Sequence, residues 1–318
     1  MNDVHVVLGT GAIGVALIGE LSSMGLRTRA VNRSGHAEVP EGVEVVAADA
    51  SSSDFTERAA KGAAVVYQCL NPPYQKWPDL FPRLQDAAVR SAQANNARYV
   101  SFENTYMYGD THGVPITETI PLLAQTRKGK VRVLMAEQLR DLADKGDLDV
   151  VTARASDYFG PRGTVQSPLG DLVIGAALAG KPARLIAAPD QPHSYSFTGD
   201  AARCLAALGT REDVAGEVFH VPNAPARTTG EVIAMISEDL GRTVKISVTP
   251  RLLLRAIGLF KPTIGELDEM RYEFTQPFVV DSAKVQTRLG LSATPLDEAV
   301  SQTVSWFRHR NGQRRYTT

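Results

Sequence analysis

Only two cysteines, Cys69 and Cys204, occur in 318 residues, too few for a disulfide framework or a four-thiolate zinc site. A reducing, cytoplasmic setting is expected. Charge of one sign is equally scarce. The chain carries 34 Lys+Arg against 35 Asp+Glu, a net charge of −1, so no global field draws it to nucleic acid or to an anionic membrane. The start, Met1-Asn2-Asp3-Val4-His5, has no basic segment, and apolar stretches such as 173–179 fall far short of the roughly twenty residues of a membrane span. Neither secretion nor membrane insertion is expected. No Gly-x-Ser-x-Gly elbow points to a hydrolase. None of the six histidines pairs with Cys, Asp or Glu at metal-ligand spacing, so no metal is expected and the partner should be a small molecule.

What is present is the composition of a globular chain, 43% hydrophobic and 22% charged, long enough for about two folding units. Short β-branched runs alternate with segments of helical period. Residues 4–8, 28–31, 43–47, 64–68, 98–101 and 149–152 read as strands of nearly continuous hydrophobicity, as expected for parallel strands covered on both faces. Residues 13–24, 55–60, 82–95 and 131–143 read as helices. In the last, Val131, Leu134, Met135, Leu139 and Leu142 are spaced to share one face, a face that permits a homodimer without requiring one. After about Thr152 prolines recur and the βαβ grammar loosens.

The strongest chemical signal is Gly9-Thr10-Gly11-Ala12-Ile13-Gly14, which follows the first strand and opens the first helix. In that context the glycines allow a tight turn, close approach of a pyrophosphate, and close helix packing. The helix amides and dipole then hold the anion. The second strand ends Asn32-Arg33-Ser34, with no Asp or Glu to take the ribose hydroxyls. Arg33 offers a planar cation to a 2′-phosphate, so NADP(H) is expected over NAD(H).

These features resemble the short-chain dehydrogenase/reductase superfamily, in the branch of NAD-dependent epimerases and dehydratases. The resemblance runs through Asp49 after the third strand, Cys69-Leu70-Asn71 after the fourth, Tyr99-Val100-Ser101 to Met107-Tyr108-Gly109, and Arg154-Ala155-Ser156-Asp157-Tyr158-Phe159-Gly160-Pro161. His193 to Phe197 with Asp200, Glu217 to Val221 and Pro277 to Asp281 continue it. It implies an α/β Rossmann-type doubly wound parallel sheet in residues 1–160. Residues 161–318 would then form a smaller C-terminal α/β substrate subdomain, with segments returning to the sheet. Gly9, Thr10, Gly11, Ala12, Ile13, Gly14, Asn32, Arg33, Ser34, Asp49, Cys69, Leu70, Asn71, Phe102 and Tyr158 are its implied cofactor contacts.

The superfamily's Tyr and Lys acid/base dyad does not carry over. Anchored on Ala136-Glu137-Gln138-Leu139, its positions fall on Gly129 and Val133, and no tyrosine stands between Tyr108 and Tyr158. The chain is therefore expected to be an atypical member. The serine position falls on Asn104, beside Thr105. Tyr106 with Lys128 or Lys130 is one replacement, in which a nearby cation would lower the phenol's pKa. Asp157 is another acid/base candidate, or else a group that hydrogen-bonds backbone. Cys69 reads as a small buried hydrophobe rather than a reactive thiol. The expected function is an NADP(H)-dependent oxidoreductase acting on a small carbonyl, hydroxyl or sugar-like substrate. The alternatives are a non-catalytic NADP(H) sensor and a nucleotide-sugar epimerase or dehydratase.

Overall fold

The structure, a computed structural model, describes residues 3–52, 55, 59–258 and 268–316. The first half supplies β1 (Val4–Leu8), β2 (Thr28–Asn32), β3 (Glu44–Ala47), β4 (Ala63–Gln68), β5 (Arg98–Asn104) and β6 (Val150–Ala155). Later come β7 (Asp157–Phe159), β8 (Tyr195–Phe197) and β9 (Val218–His220). One sheet has the order β9-β6-β5-β4-β1-β2-β3, and every pairing in it is parallel. The chain winds outward from β1 to β3 on one side and from β4 to β9 on the other. The order therefore reverses between β1 and β4, where open α/β sheets leave a crevice at the carboxyl ends of their strands.

Side-chain alternation sorts β1 between two cores. Val4, Val6 and Leu8 pack with α2 (Trp77–Ala94) and α3 (Arg127–Asp144), through residues such as Leu84, Ala88 and Leu139. Val7 packs on the other face with α1 (Ala12–Ser23) and α4 (Thr198–Thr210), through Leu17, Ile18, Leu205 and Leu208. Each such burial contributes about 1.5–3 kcal/mol. The helix and strand at 198–210 and 218–220 thus belong to the sheet layers. A third core joins Phe159, Ile174, Ile233 and Phe307, with α5 (Thr229–Asp239) and α6 (Leu296–Tyr316) over it. Among the described residues no helix is long and apolar enough to cross a membrane.

Two helix expectations change. The one at 82–95 starts earlier, at Trp77, despite Pro82 within it. The first turn is pinned by Trp77 Nε1 donating to the Pro72 carbonyl at 2.9 Å and by ring contacts of Trp77 with Tyr74, Phe81 and Tyr106, which outweigh the missing proline N–H. On α3, Leu134 is 65% exposed. The buried face instead runs through Lys128, Val131, Arg132, Met135, Ala136 and Leu139, because the core accepts two cations that a purely apolar period would leave out. The helix expected at 55–60 lies largely outside the described residues.

Candidate active site

At the β1–α1 crossing the glycines divide their tasks. A Cβ on Gly14 would stand 2.0 Å from the Gly9 carbonyl oxygen, whereas one on Gly11 would meet nothing within 4 Å. The first position is closed by the fold, and the second opens on free space. Gly11 is also the N-cap of α1 and provides no side-chain cap, so the first helix amides lack an internal acceptor. Open space beside uncapped amides at the positive end of a helix fits a diphosphate.

The crevice that begins there has a volume of about 290 Å³. Gly9, Gly11, Ala12, Ile13, Cys69, Leu70, Asn71, Phe102, Asn104, Tyr106, Asp157 and Tyr158 line it. The carboxyl ends of β1, β4, β5 and β6 thereby bring residues from across the first half into one groove.

The other expected residues stand apart from its wall. Thr10 accepts a hydrogen bond from Asn32 Nδ2 at 2.8 Å. The Asn32 amide also donates to the His36 carbonyl and accepts from Ser34 Oγ and the Gly35 amide, so it shapes the β2 turn. Arg33 is exposed beside it. Asp49 accepts from the Ser51 amide and hydroxyl, bonds that hold its carboxyl below the usual range, helped by the Arg33 charge. Thr105 is buried at the start of the turn Tyr106–Tyr108.

Lys128 is fully buried, with Nζ 2.7 Å from Glu269 Oε2 and over the Tyr74 ring. Tyr106 shares a 3.2 Å hydroxyl contact with Tyr74. Burial, with the charges around it, pushes the Tyr106 phenol well above its ordinary value, opposite to the lowering expected from a neighbouring lysine. Burial likewise pushes the Cys69 thiol up to about 12, which removes it as a nucleophile near neutral pH.

Tyr74, Trp77, Phe81, Glu103, Arg132, Ser156 and Gln166 also line the crevice and were missed. The spacing of Tyr74, Trp77 and Phe81 at i, i+3 and i+7 was the available signal for an aromatic helix face. Gly129 is packed shut, since a Cβ there would lie 2.4 Å from Ala124 Cβ. The α3 residue at the crevice is Arg132, one turn after Lys128. The residue is 1% exposed, and Nε and Nη2 have no hydrogen bond among the described residues. Nη2 stands 3.6 Å from the Glu103 carboxylate, so the guanidinium is held by charge at the crevice wall with hydrogen-bonding capacity to spare.

Comparison with solved structures finds the same architecture over nearly the whole chain. An epimerase, Mth375, from Methanothermobacter thermautotrophicus has a TM-score of 0.83 at 17% identity, covering 99% of this chain and 95% of that one. DesIV, a dTDP-glucose 4,6-dehydratase from Streptomyces venezuelae with NAD and TYD bound, has 0.78 at 16%, covering 98% of each chain. MoeE5 in complex with UDP-glucose and NAD has 0.76 at 20%, covering 97% and 99%. No curated protein matches the chain. The family model for NAD dependent epimerases/dehydratases matches residues 5–221. With the glycine turn, the switch-point crevice and this match in agreement, the chain belongs to the NAD-dependent epimerase/dehydratase family.

Proposed function

We propose that the protein is an oxidoreductase-type enzyme that holds a nicotinamide dinucleotide along the crevice and acts on a hydroxyl- or carbonyl-bearing carbon of a small, sugar-like substrate. The observation that carries this reading is the continuity of one crevice from the open Gly11 amides to Asn104, Tyr106 and Asp157. The dinucleotide, when bound, accepts or gives a hydride. The chain's own residues do the rest. Amides at Gly11, Ala12 and Ile13 would hold the diphosphate, and Cys69, Leu70 and Asn71 would line its path. Arg132 would donate to hydroxyl or carboxylate oxygens of either ligand. Asn104 and the Tyr106 hydroxyl would orient the reacting oxygen. A phenol pushed so far up keeps its proton near neutral pH, so Tyr106 serves as a hydrogen-bonding group. The aromatic wall of Tyr74, Trp77 and Phe81 would exclude water.

NAD is the proposed dinucleotide, on the solved neighbours that hold it. Arg33, exposed beside the β2 turn, supports NADP as a second reading. A nucleotide sugar is the proposed substrate form, since the neighbours include complexes with UDP-glucose and UDP-glucuronic acid. Incubation with either dinucleotide and a panel of nucleotide sugars, free sugars and carbonyl compounds tests this by nicotinamide absorbance and product analysis. Turnover with one class supports the enzyme. Tight dinucleotide binding without turnover across the panel would favour a binding or sensing protein.

A further inference from the structure

Behind Asp157, on the side away from the crevice, stands His193. The parallel pair β7–β8, in which Tyr195 opposes Asp157, draws the preceding segment past the carboxylate. Ser156 Oγ donates to the Ser194 carbonyl at 2.6 Å and keeps it there. The imidazole is clamped by Phe274, stacked with centroids 4.5 Å apart, and by Phe278 and Tyr195. Nδ1 lies 3.0 Å from the Glu273 backbone carbonyl. A carbonyl only accepts, so Nδ1 carries a hydrogen. Nε2 then faces Asp157 Oδ2 at 3.2 Å, off line for a full hydrogen bond, and neither atom has a hydrogen bond elsewhere among the described residues.

With a neutral ring and an ionised carboxyl, two lone pairs would face each other in a buried place. One proton between them turns repulsion into a charge-assisted contact. We propose that Asp157 and His193 hold one proton between Nε2 and Oδ2, and that Asp157 so fixed is the catalytic acid/base of the site, with His193 as its positioning residue. The inference rests on the reading of the crevice as an active site. His193 is 1% exposed in its side chain and Asp157 15%, while Oδ2 is covered, which leaves Oδ1 to reach a substrate.

The step balances. When a substrate hydroxyl is oxidised, its carbon gives a hydride to the oxidised nicotinamide and its oxygen gives a proton to Oδ1, leaving a carbonyl and a neutral Asp157 carboxyl. Reduction runs the reverse. Throughout, His193 Nε2 keeps its proton, directed at Oδ2.

Among the described residues, the Asp157 charge is felt by Glu273 and by the phenols of Tyr74, Tyr106, Tyr158, Tyr195 and Tyr272. Burial pushes every one of these phenols up. Burial and the Asp157 charge push the Glu273 carboxyl well up, against the pull of Lys128. These phenols therefore keep their own protons near neutral pH.

The test is nitrogen-resolved NMR of the full chain with labelled histidine, together with kinetics. His193 is expected to be protonated on both ring nitrogens at neutral pH. In Asp157→Asn it should become the neutral Nδ1–H form. The same variant should lose about 100-fold or more in turnover with dinucleotide affinity retained. His193→Gln, whose amide can still donate to Oδ2, should keep part of the turnover with a displaced pH profile. A wild-type ring that is neutral at pH 7 and titrates as it does in Asp157→Asn would overturn the proposal, as would full turnover in Asp157→Asn. Failure of the dinucleotide to bind would sink the functional reading instead, while the NMR titration would still decide the pair.

Discussion

Arg132 Nη2 stands 3.6 Å from Glu103 Oε1, beneath the crevice wall. Arg154 Nε takes the other oxygen of the same carboxylate at 3.0 Å, so two buried cations share one anion. Removing the anion strands both, whereas removing Arg132 leaves the Glu103–Arg154 pair intact. Glu103→Gln is therefore expected to cost about 3–5 kcal/mol of stability in urea unfolding. Arg132→Met should cost clearly less yet weaken dinucleotide or substrate binding. An Arg132→Met protein as unstable as Glu103→Gln would make Arg132 a structural residue.

The two glycines on either side of Ala12 should part company. Gly14→Ala drives a Cβ to within 2.0 Å of the Gly9 carbonyl oxygen and should cost about 1–3 kcal/mol as an overpacked site. Gly11→Val adds bulk to open space and should leave the melting temperature nearly unchanged. Calorimetry should nonetheless show its dinucleotide affinity reduced about tenfold or more, or about 1.4 kcal/mol. Unimpaired binding in Gly11→Val would contradict the diphosphate seat.

Substituting Arg33 tests which of the two dinucleotides the site takes. If it receives a 2′-phosphate, Arg33→Ala should weaken NADPH about tenfold and leave NADH within error. Equal effects on both, or none, assign the site to NAD.

Stability should respond to pH through opposite terms. His220 is buried in a hydrogen-bonded network: Nδ1 donates to the Asp281 carbonyl at 2.7 Å, and Nε2 accepts from the Tyr108 hydroxyl at 2.8 Å. Burial lowers the imidazole below its ordinary 6.5, and burial does the same to His5. A depressed folded value means that this stability is present above 6.5 and is lost as pH falls through the folded value. Glu273 has the reverse sign. Its carboxyl is raised by burial above the ordinary 4.5, so its contribution is present below 4.5 and lost as pH rises through the folded value. Relative to wild type, His220→Gln should gain melting temperature as pH falls below 6.5. Glu273→Gln should gain it as pH rises from 4.5. Parallel curves for the variants and wild type would show that neither group titrates in this way.

Much of the fold was legible because its signals are local. Val4 to Leu8 is nearly continuous in hydrophobicity, as a parallel strand covered on both faces is. Gly9 to Gly14 sits where a strand becomes a helix. The extra turn of α2 was not legible, because Pro82 argues against it and only the contacts of Trp77 with Pro72 and Tyr106 reverse that argument. Arg132 was hidden for a related reason: a charged residue on a helix reads as solvated until a buried carboxylate from β5 is found beside it.

The amino-acid order alone determined six of the seven sheet strands and the anion-binding turn, since each depends on neighbours a few positions apart. Only the tertiary structure decided which polar groups meet at the crevice. Asp157 meets His193 through the pairing of two short strands, and Glu273 reaches them from the far end of the chain. Contacts of that kind depend on how separate elements pack, and no local pattern of residues encodes the distance between them.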